Sequence, residues 1–325
     1  MNVPEVSVVV VTYQSADWVE RCLSTLPAAF DGVAHEVVVV DNASTDGSAD
    51  RVAARYPGVL LERNAVNVGF AAAVNQGVRR STAPWVLLLN PDTESRPGAL
   101  RRLLEFARTH PGHGLYGGRT VQADGSPGPL SCWGLPTVWS TLCFATGAST
   151  LFRRTRLFDP ESLGRWPRDT VREVGMVTGC LLVLERSTWE RLGGLDERFF
   201  VYGEDADLAA RARGLGLRPV ITPDAEIVHA GGESSSDADG GSTPLVLAGK
   251  VLYARTHFGP VAAPVVVALL RSGVALRAAG SAVTGRGRKW AATWRRRAEW
   301  WDGFPASLRA APAEPEQDPA QEPVR

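Results

Sequence analysis

The sequence has no excess of either charge. Its 325 residues include 35 Lys or Arg and 35 Asp or Glu, which excludes a protein built to coat nucleic acid, whose surface should be basic throughout. Cysteine is scarce: Cys22, Cys132, Cys143 and Cys180 stand in apolar surroundings with no C-x-x-C spacing. That argues against a zinc site or disulfide framework and for reduced thiols in a cytosolic protein. No G-x-G-x-x-G follows the first apolar run, which disfavours a Rossmann-type dinucleotide, and no G-x-x-x-x-G-K-[ST] occurs, which excludes a P-loop. No basic segment and apolar core of a secretory signal precede or include Val6–Val11, so Asn42-Ala-Ser44 is an incidental glycosylation pattern. Arg271 and Arg277 interrupt the apolar residues 261–283, leaving no unbroken stretch of the ~20 residues that cross a bilayer. No internal repeat stands out.

What is present is a chain with 44% apolar residues, long enough for one large domain or two ordinary ones. Continuous β-branched runs alternate with helical periodicity. Strands are expected at Val6–Val11, Glu36–Val40, Val59–Leu61 and Trp85–Leu89, and helices at Trp18–Leu26, Ser48–Tyr56, Phe70–Arg80 and Gly98–Thr109. Such alternation predicts an α/β fold with a mostly parallel, doubly wound sheet and helices on both faces. From Gly125 to Asp169 no period is visible, and a mobile or substrate-covering segment is expected. Met176–Leu184 reads as a strand, Ser187–Leu192 as a helix capped by Ser187, and Asp205–Arg213 as a helix. Arg218–Ile221 and Glu226–Val228 read as two short strands, Pro244–Phe258 as a helix, and the acidic, Pro-rich end after 310 as disordered.

Ligands of an open parallel sheet bind at the carboxyl ends of its strands. There the sequence places Thr12-Tyr13, Asp41-Asn42, Asn64 to Asn67 and Asn90-Pro91-Asp92, a polar small-molecule pocket. Ser44 and Asp46 are read as turn and cap residues, whereas Asp41 and Asp92, at strand ends, are read as functional. A nucleotide could bind here if a cation, Mg2+ or Mn2+, neutralised its diphosphate beside the Asp92 carboxylate.

These residues resemble a family. Val8-Val-Val-Val-Thr-Tyr13, Val38-Val-Val-Asp-Asn-Ala-Ser-Thr-Asp-Gly-Ser48, Asn67-Val-Gly-Phe70 with Asn75 and Gly77, Leu87-Leu-Leu-Asn-Pro-Asp92, and Asp196-Glu-Arg-Phe-Phe-Val-Tyr-Gly-Glu-Asp-Ala-Asp-Leu208 together are similar to the family 2 inverting glycosyltransferases of GT-A fold, in their rhamnosyltransferase-like branch. The likeness spans about residues 5–235. It implies a catalytic domain over 1–240, with a nucleotide-sugar half to about 120 and an acceptor half beyond. It implies that Thr12, Tyr13 and Asp41 hold the base and ribose of a nucleotide sugar, and that Asn67, Gly69 and Phe70 form the loop closing over it. Asn90 and Asp92 stand where the family has its metal-binding D-x-D, with Asn90 in place of the first carboxylate, and His229 is implied to complete the metal site. Asp205 is implied to be the catalytic base, with Glu204 and Asp207 contacting the acceptor or orienting it, and Gly179 on the acceptor side. The alternative for these acids is that they simply favour a helix N-terminus.

Neutrality conceals a division. Residues 271–309 carry nine basic side chains against Glu299 and Asp302, a net +7, so the remainder carries −7. Within Lys289–Trp301 four tryptophans are interleaved with this charge, which suits either a helix lying on an anionic membrane or a helix packing its tryptophans on the catalytic body; a nucleic-acid patch is the weakest option. A helical, basic region over 241–310 is therefore expected, with a membrane surface as a candidate partner through 261–301 and a place at the cytoplasmic face of the plasma membrane. The function implied is transfer of L-rhamnose from a dTDP donor to a lipid-linked or glycan acceptor in cell-envelope polysaccharide synthesis. Transfer of galactofuranose or a hexose from a UDP donor stays open. A nucleotidyltransferase should have a Gly-rich basic loop where Thr12-Tyr-Gln-Ser15 stands, and a silent sugar-nucleotide-binding protein should have lost Glu204-Asp205. No Q-x-x-R-W motif of processive polymerases is present.

Overall fold

The structure is a computed structural model describing residues 3–128, 131–229, 241–284 and 287–309. The first half alternates as expected: β1 (Val6–Thr12), α1 (Ala16–Phe30), β2 (His35–Asp41), α2 (Ser48–Arg55), β3 (Leu60–Arg63), α3 (Phe70–Arg80), β4 (Trp85–Leu89), β5 (Thr93–Ser95) and α4 (Ala99–Thr109). Then come β6 (Tyr116–Val121), β7 (Cys132–Trp133), α5 (Val138–Thr146), α6 (Ala148–Leu151), β8 (Arg172–Glu173), β9 (Met176–Val177), β10 (Leu181–Glu185), α7 (Arg186–Leu192), α8 (Glu204–Gly214) and β11 (Val220–His229). The chain continues with α9 (Thr243–His257), α10 (Ala262–Thr284) and α11 (Arg288–Arg295).

The main sheet runs β3-β2-β1-β4-β10-β6-β11-β5, with β8 paired to β11. β1 is parallel to β2 and β4, whereas β10 is antiparallel to both β4 and β6. The alternation of side chains across a strand divides the core. Val6, Val8 and Val10 join α1 and α4 residues on one face; Val9 and Val11 join α3, α7 and α8 residues on the other. This is why the β1 run is apolar without interruption. Gly77 allows α3 to lie close: a Cβ there would come within 2.5 Å of Val9 Cγ1.

Four expectations need correction. The segment 125–169 is not uniformly aperiodic. It contains α5, opened by a reciprocal cap between Thr137 and Ser140, and α6; α5 is apolar all round, so no stripe betrays it. Met176–Leu184 is not one strand: β9 pairs with β7 and β10 with β4 and β6, and the break between them puts Gly179 and Cys180 in a turn. Helix α7 begins at Arg186 after Glu185, with no side-chain cap from Ser187, whose hydroxyl instead donates to Glu185. The two short strands near 220 are one, β11, with an irregularity between Ile221 and Glu226.

The carboxyl-terminal helices form their own apolar cluster from α9, α10 and Trp300. Trp300 is fully buried and donates its indole N–H to Thr293 O at 3.1 Å; Trp290, Trp294 and Trp301 pack partly buried on the same cluster. Of the two arrangements the sequence left open, the tryptophans take the inward one, because the apolar sides of α9 and α10 need a cover. The expected boundary at 240 and the acidic tail lie outside the described residues.

Candidate active site

At the carboxyl edge of the sheet, Asp41 is almost wholly buried and both its oxygens are engaged. Oδ1 accepts from the Thr12 hydroxyl at 3.0 Å and Oδ2 from the Ser44 amide at 3.0 Å. Asp46 accepts from the Ala16 amide and from the amide and hydroxyl of Ser48, and Ser44 Oγ accepts from the Gln14 amide. These two side chains tie the loops after β1 and β2 together, as turn residues do. Tyr13, half exposed, lies on that rim. A cleft of about 330 Å³ opens over the loops after β2 and β3, lined by Asp41, Thr45, Asp50, Arg63 and Asn64 among others.

The loop before α3 is organised by amides. Asn42 donates to Asn67 Oδ1 at 2.8 Å and accepts from Asn64 and from the Val68 amide; Asn67 Oδ1 also accepts from the Gly69 amide. Asn67 thus shapes the loop. Gly69 has φ +89°, and a Cβ there would lie 2.7 Å from Phe200 O, so backbone approach requires glycine. The Phe70 amide donates to that same carbonyl at 2.6 Å, and the Phe70 ring stands against Gly179. Asn75 fastens the segment after α7, donating to Leu195 O and Glu197 and accepting from the Leu195 amide.

Asp92 and His229 are brought together by strand pairing. β5 and β11 run antiparallel with Thr93 opposite His229, so the residue before Thr93 meets the last residue of β11, and His229 Nε2 lies 3.0 Å from Asp92 Oδ1. His229 Nδ1 is buried with no hydrogen-bond partner among the described residues. A carboxylate and an imidazole in contact, one with an orphaned nitrogen, fit a divalent cation that completes its shell with phosphate oxygens and water. Among the described residues no group of three or more His, Cys, Asp or Glu surrounds such an ion. Asn90 sits just before, its amide donating to Cys180 O at 3.2 Å and its carbonyl accepting from Thr93.

Helix α8 supplies the acids. Asp205 is partly exposed, and burial raises its carboxyl to about 6 against the opposing amide hydrogen bonds of Ala206 and Gly179. Glu204 is buried with Oε2 unpartnered; burial, then the neighbouring Asp205 charge, push it up to about 8. The thiol of Cys180 between the two loops is pushed up to about 12, chiefly by burial, with Asp92 and Asp205 both contributing. The Gly179-Cys180 turn joins the two loops: the Cys180 carbonyl accepts from the Asn90 amide, and the Gly179 backbone hydrogen-bonds to Asp205.

Asp207 does not join them. It is 1% exposed, paired with Arg211 at 2.6 Å and with His257 Nε2 at 2.7 Å, so the expectation that it contacts acceptor or orients the base is replaced by a structural one: it anchors α8 to α9. At 100° per residue Asp207, two positions after Asp205, lies on the opposite side of α8 from it. His257 and Phe200 were not singled out from the sequence, and nothing local to His257 marks it.

Residues 7–149 match the family described as Glycosyl transferase family 2. The N-acetylglucosaminyl-diphospho-decaprenol L-rhamnosyltransferase of Mycobacterium tuberculosis is 32% identical over 240 residues, covering 68% of this chain and 75% of the relative. A low-salt glycan biosynthesis hexosyltransferase of Haloferax volcanii is 29% identical over 213 residues, 64% and 62% of the two chains. Among solved structures, a mannosyltransferase of Pyrobaculum calidifontis in complex with GDP-Man and Mn2+ superposes with a TM-score of 0.52 at 21% identity, covering 91% of this chain and 80% of that one. This last likeness bears on the fold alone.

Proposed function

The chain belongs to glycosyltransferase family 2, with the GT-A fold, and from that premise we propose that it transfers L-rhamnose from a dTDP donor to a lipid-linked or glycan acceptor in cell-envelope polysaccharide synthesis. The donor lies over the loops after β1, β2 and β3. Thr12, Tyr13 and Asp41 hold base and ribose, Asp41 from the wall of the 330 Å³ cleft, and Asn67, Gly69 and Phe70 shape the closing loop. Asn90 and Asp92 face the diphosphate. A divalent cation, Mg2+ or Mn2+, held by Asp92 and His229 would neutralise that diphosphate as a leaving group.

The reaction at the acceptor is general-base catalysis. The acceptor hydroxyl oxygen forms a bond to the anomeric carbon on the face opposite the diphosphate, the bond from that carbon to the diphosphate oxygen breaks, and Asp205 takes the hydroxyl proton. A carboxyl raised to about 6 is still mostly ionised at pH 7 and is a stronger base than an ordinary aspartate, which suits this role. Glu204, raised to about 8, is neutral there and can donate a hydrogen bond to an acceptor oxygen, with the Gly179 turn completing the acceptor side. The observation that carries the reading is the Gly179-Cys180 turn, which bonds to Asn90 of the Asn90-Pro91-Asp92 loop on one side and to Asp205 on the other. The choice of rhamnose and of a lipid diphosphate acceptor is supported by the name of the 32% identical relative.

The test is calorimetry of dTDP-, UDP- and GDP-sugars with Mg2+ or Mn2+, followed by transfer assays with the sugar that binds. Asp205→Asn should retain donor binding and lose transfer almost completely. Substantial turnover by that variant would remove Asp205 as base; tight binding of a UDP-hexose with no affinity for dTDP-rhamnose would replace the donor.

A further inference from the structure

Ten of the sixteen large apolar side chains exposed among the described residues fall in two stretches, Val138–Leu157 and Val261–Val283. The first runs from Thr137 to Phe152 without a charged side chain and exposes Leu151 by 77% and Leu157 by 60%. The second is α10, whose outer side, Val265, Ala268, Ser272, Leu276, Ala279 and Val283, is exposed and uncharged along the whole helix. Spacings of three and four place these six on one face, about 30 Å long at 1.5 Å per residue. The two stretches adjoin: Gly273 lies against Phe144 and Ala145, and Arg277 stacks over Phe144 at 4.1 Å and reaches Thr150 at 3.3 Å.

Contiguous exposed apolar surface of this extent marks an interaction site. Basic residues dominate its margin, where the partly exposed Asp159 accepts from the Arg154 backbone amide at 2.9 Å. Arg153, Arg154 and Arg156 follow Phe152 directly, are exposed, and have no carboxylate partner among the described residues. Arg288 and Lys289 open α11 at the far end of α10. A symmetric contact with a second copy would press each patch on itself and bring these cations together. An anionic lipid surface satisfies the apolar stripe and the arginines at once.

We propose that α5, α6 and the outer side of α10 form the face on which this protein lies against an anionic bilayer, with Leu151, Leu157 and Leu276 entering the headgroup boundary and Arg153, Arg154 and Arg156 pairing with lipid phosphates. The helix lies along the membrane and does not cross it. Ala262–Val283 has the length and hydropathy to span, with a mean hydropathy of 1.5. Its inner side, however, is committed to the protein: Arg271 donates to Trp301 O at 2.7 Å and stacks over that ring at 4.2 Å, and Gly273 closes on α5. The inference rests on the lipid-linked acceptor of the proposed function for its purpose, since such an acceptor presents its sugar at this surface.

The test uses the full chain and vesicles of phosphatidylglycerol and phosphatidylcholine, with neither donor nor acceptor added. Co-sedimentation should rise with the phosphatidylglycerol fraction. Arg153→Ala, Arg154→Ala and Arg156→Ala combined should weaken binding by about 100-fold at low salt, and Leu151→Glu with Leu276→Glu by at least about tenfold. All five positions are wholly or partly on the surface, so circular dichroism and the unfolding midpoint should stay unchanged. A folded wild-type protein that ignores these vesicles would overturn the proposal, as would unchanged binding in both variants. A dimer that Leu276→Glu dissociates would assign the face to a second copy, and resistance to carbonate extraction would assign α10 to a span. Failure of sugar transfer with vesicle binding intact would count against the proposed function alone.

Discussion

Glu204 gives the sharpest quantitative expectation. Its carboxyl is buried in the first turn of α8 with one oxygen unpartnered, and burial together with Asp205 raises it from 4.5 to about 8. Each tenfold change in a proton equilibrium is worth about 1.4 kcal/mol. The folded state holds its proton more tightly than the unfolded state, so this residue favours folding least where the unfolded chain is ionised and the folded one must follow. Its penalty is absent below pH 4.5, grows through the neutral range and levels off above about pH 8. Between pH 6 and pH 9 the wild-type protein should lose about 3 kcal/mol from this one group. Glu204→Gln cannot titrate. Whatever constant cost its amide brings cancels when stability is compared across pH, so only the slope matters. Urea unfolding of both proteins at pH 6, 7, 8 and 9 should show the variant gaining on the wild type by about 2–3 kcal/mol over that range. Parallel curves would refute the raised carboxyl and with it the neutral Glu204 assigned to the acceptor side.

Three further outcomes are expected. The rate kcat/KM should fall as pH drops through about 6, because protonation of Asp205 removes the base; an acid limb below pH 4.5 would show that another group serves. Gly69→Ala should raise the donor KM severalfold while the protein stays folded, since its Cβ would meet Phe200 O at 2.7 Å at a φ of +89°; unchanged donor affinity, by calorimetry, would free the loop from the site. Trp300→Ala should destabilise the carboxyl-terminal helices by about 3–5 kcal/mol, read by urea unfolding, because the ring is fully buried and hydrogen-bonded to Thr293. A mild effect would mean that the cluster is not the cover for α9 and α10.

Much of the site was legible because its residues follow strands directly. Thr12, Asp41 and Asn90 occupy strand ends or the next position, and a β-branched run announces where a strand stops. Phe70–Arg80 and Trp85–Leu89 match the observed α3 and β4 residue for residue, since Gly69 and the change of period mark their edges. Asp46 and Ser44 prove to be turn residues, as their spacing suggested. The α5 segment was opaque for the opposite reason: a helix apolar on every side shows no period. Asp207 was ambiguous because three acids within four residues at a helix start look alike in one dimension, while a turn of 100° per residue sends Asp205 and Asp207 to opposite sides.

The sequence by itself determined the alternating α/β order, the polar carboxyl edge and the family to which its motifs belong, because each is written in neighbouring residues. Only tertiary structure decided which distant groups meet. Strand pairing set Asp92 beside His229, the turn after β9 carried Gly179 and Cys180 to Asp205, and His257 reached across 50 residues to claim Asp207. It also decided between the two readings of the basic, tryptophan-rich end. Composition offers tryptophan equally to a membrane or to a core, and the uncovered sides of α9 and α10 took the tryptophans inward, leaving the aliphatic outer side of α10 exposed.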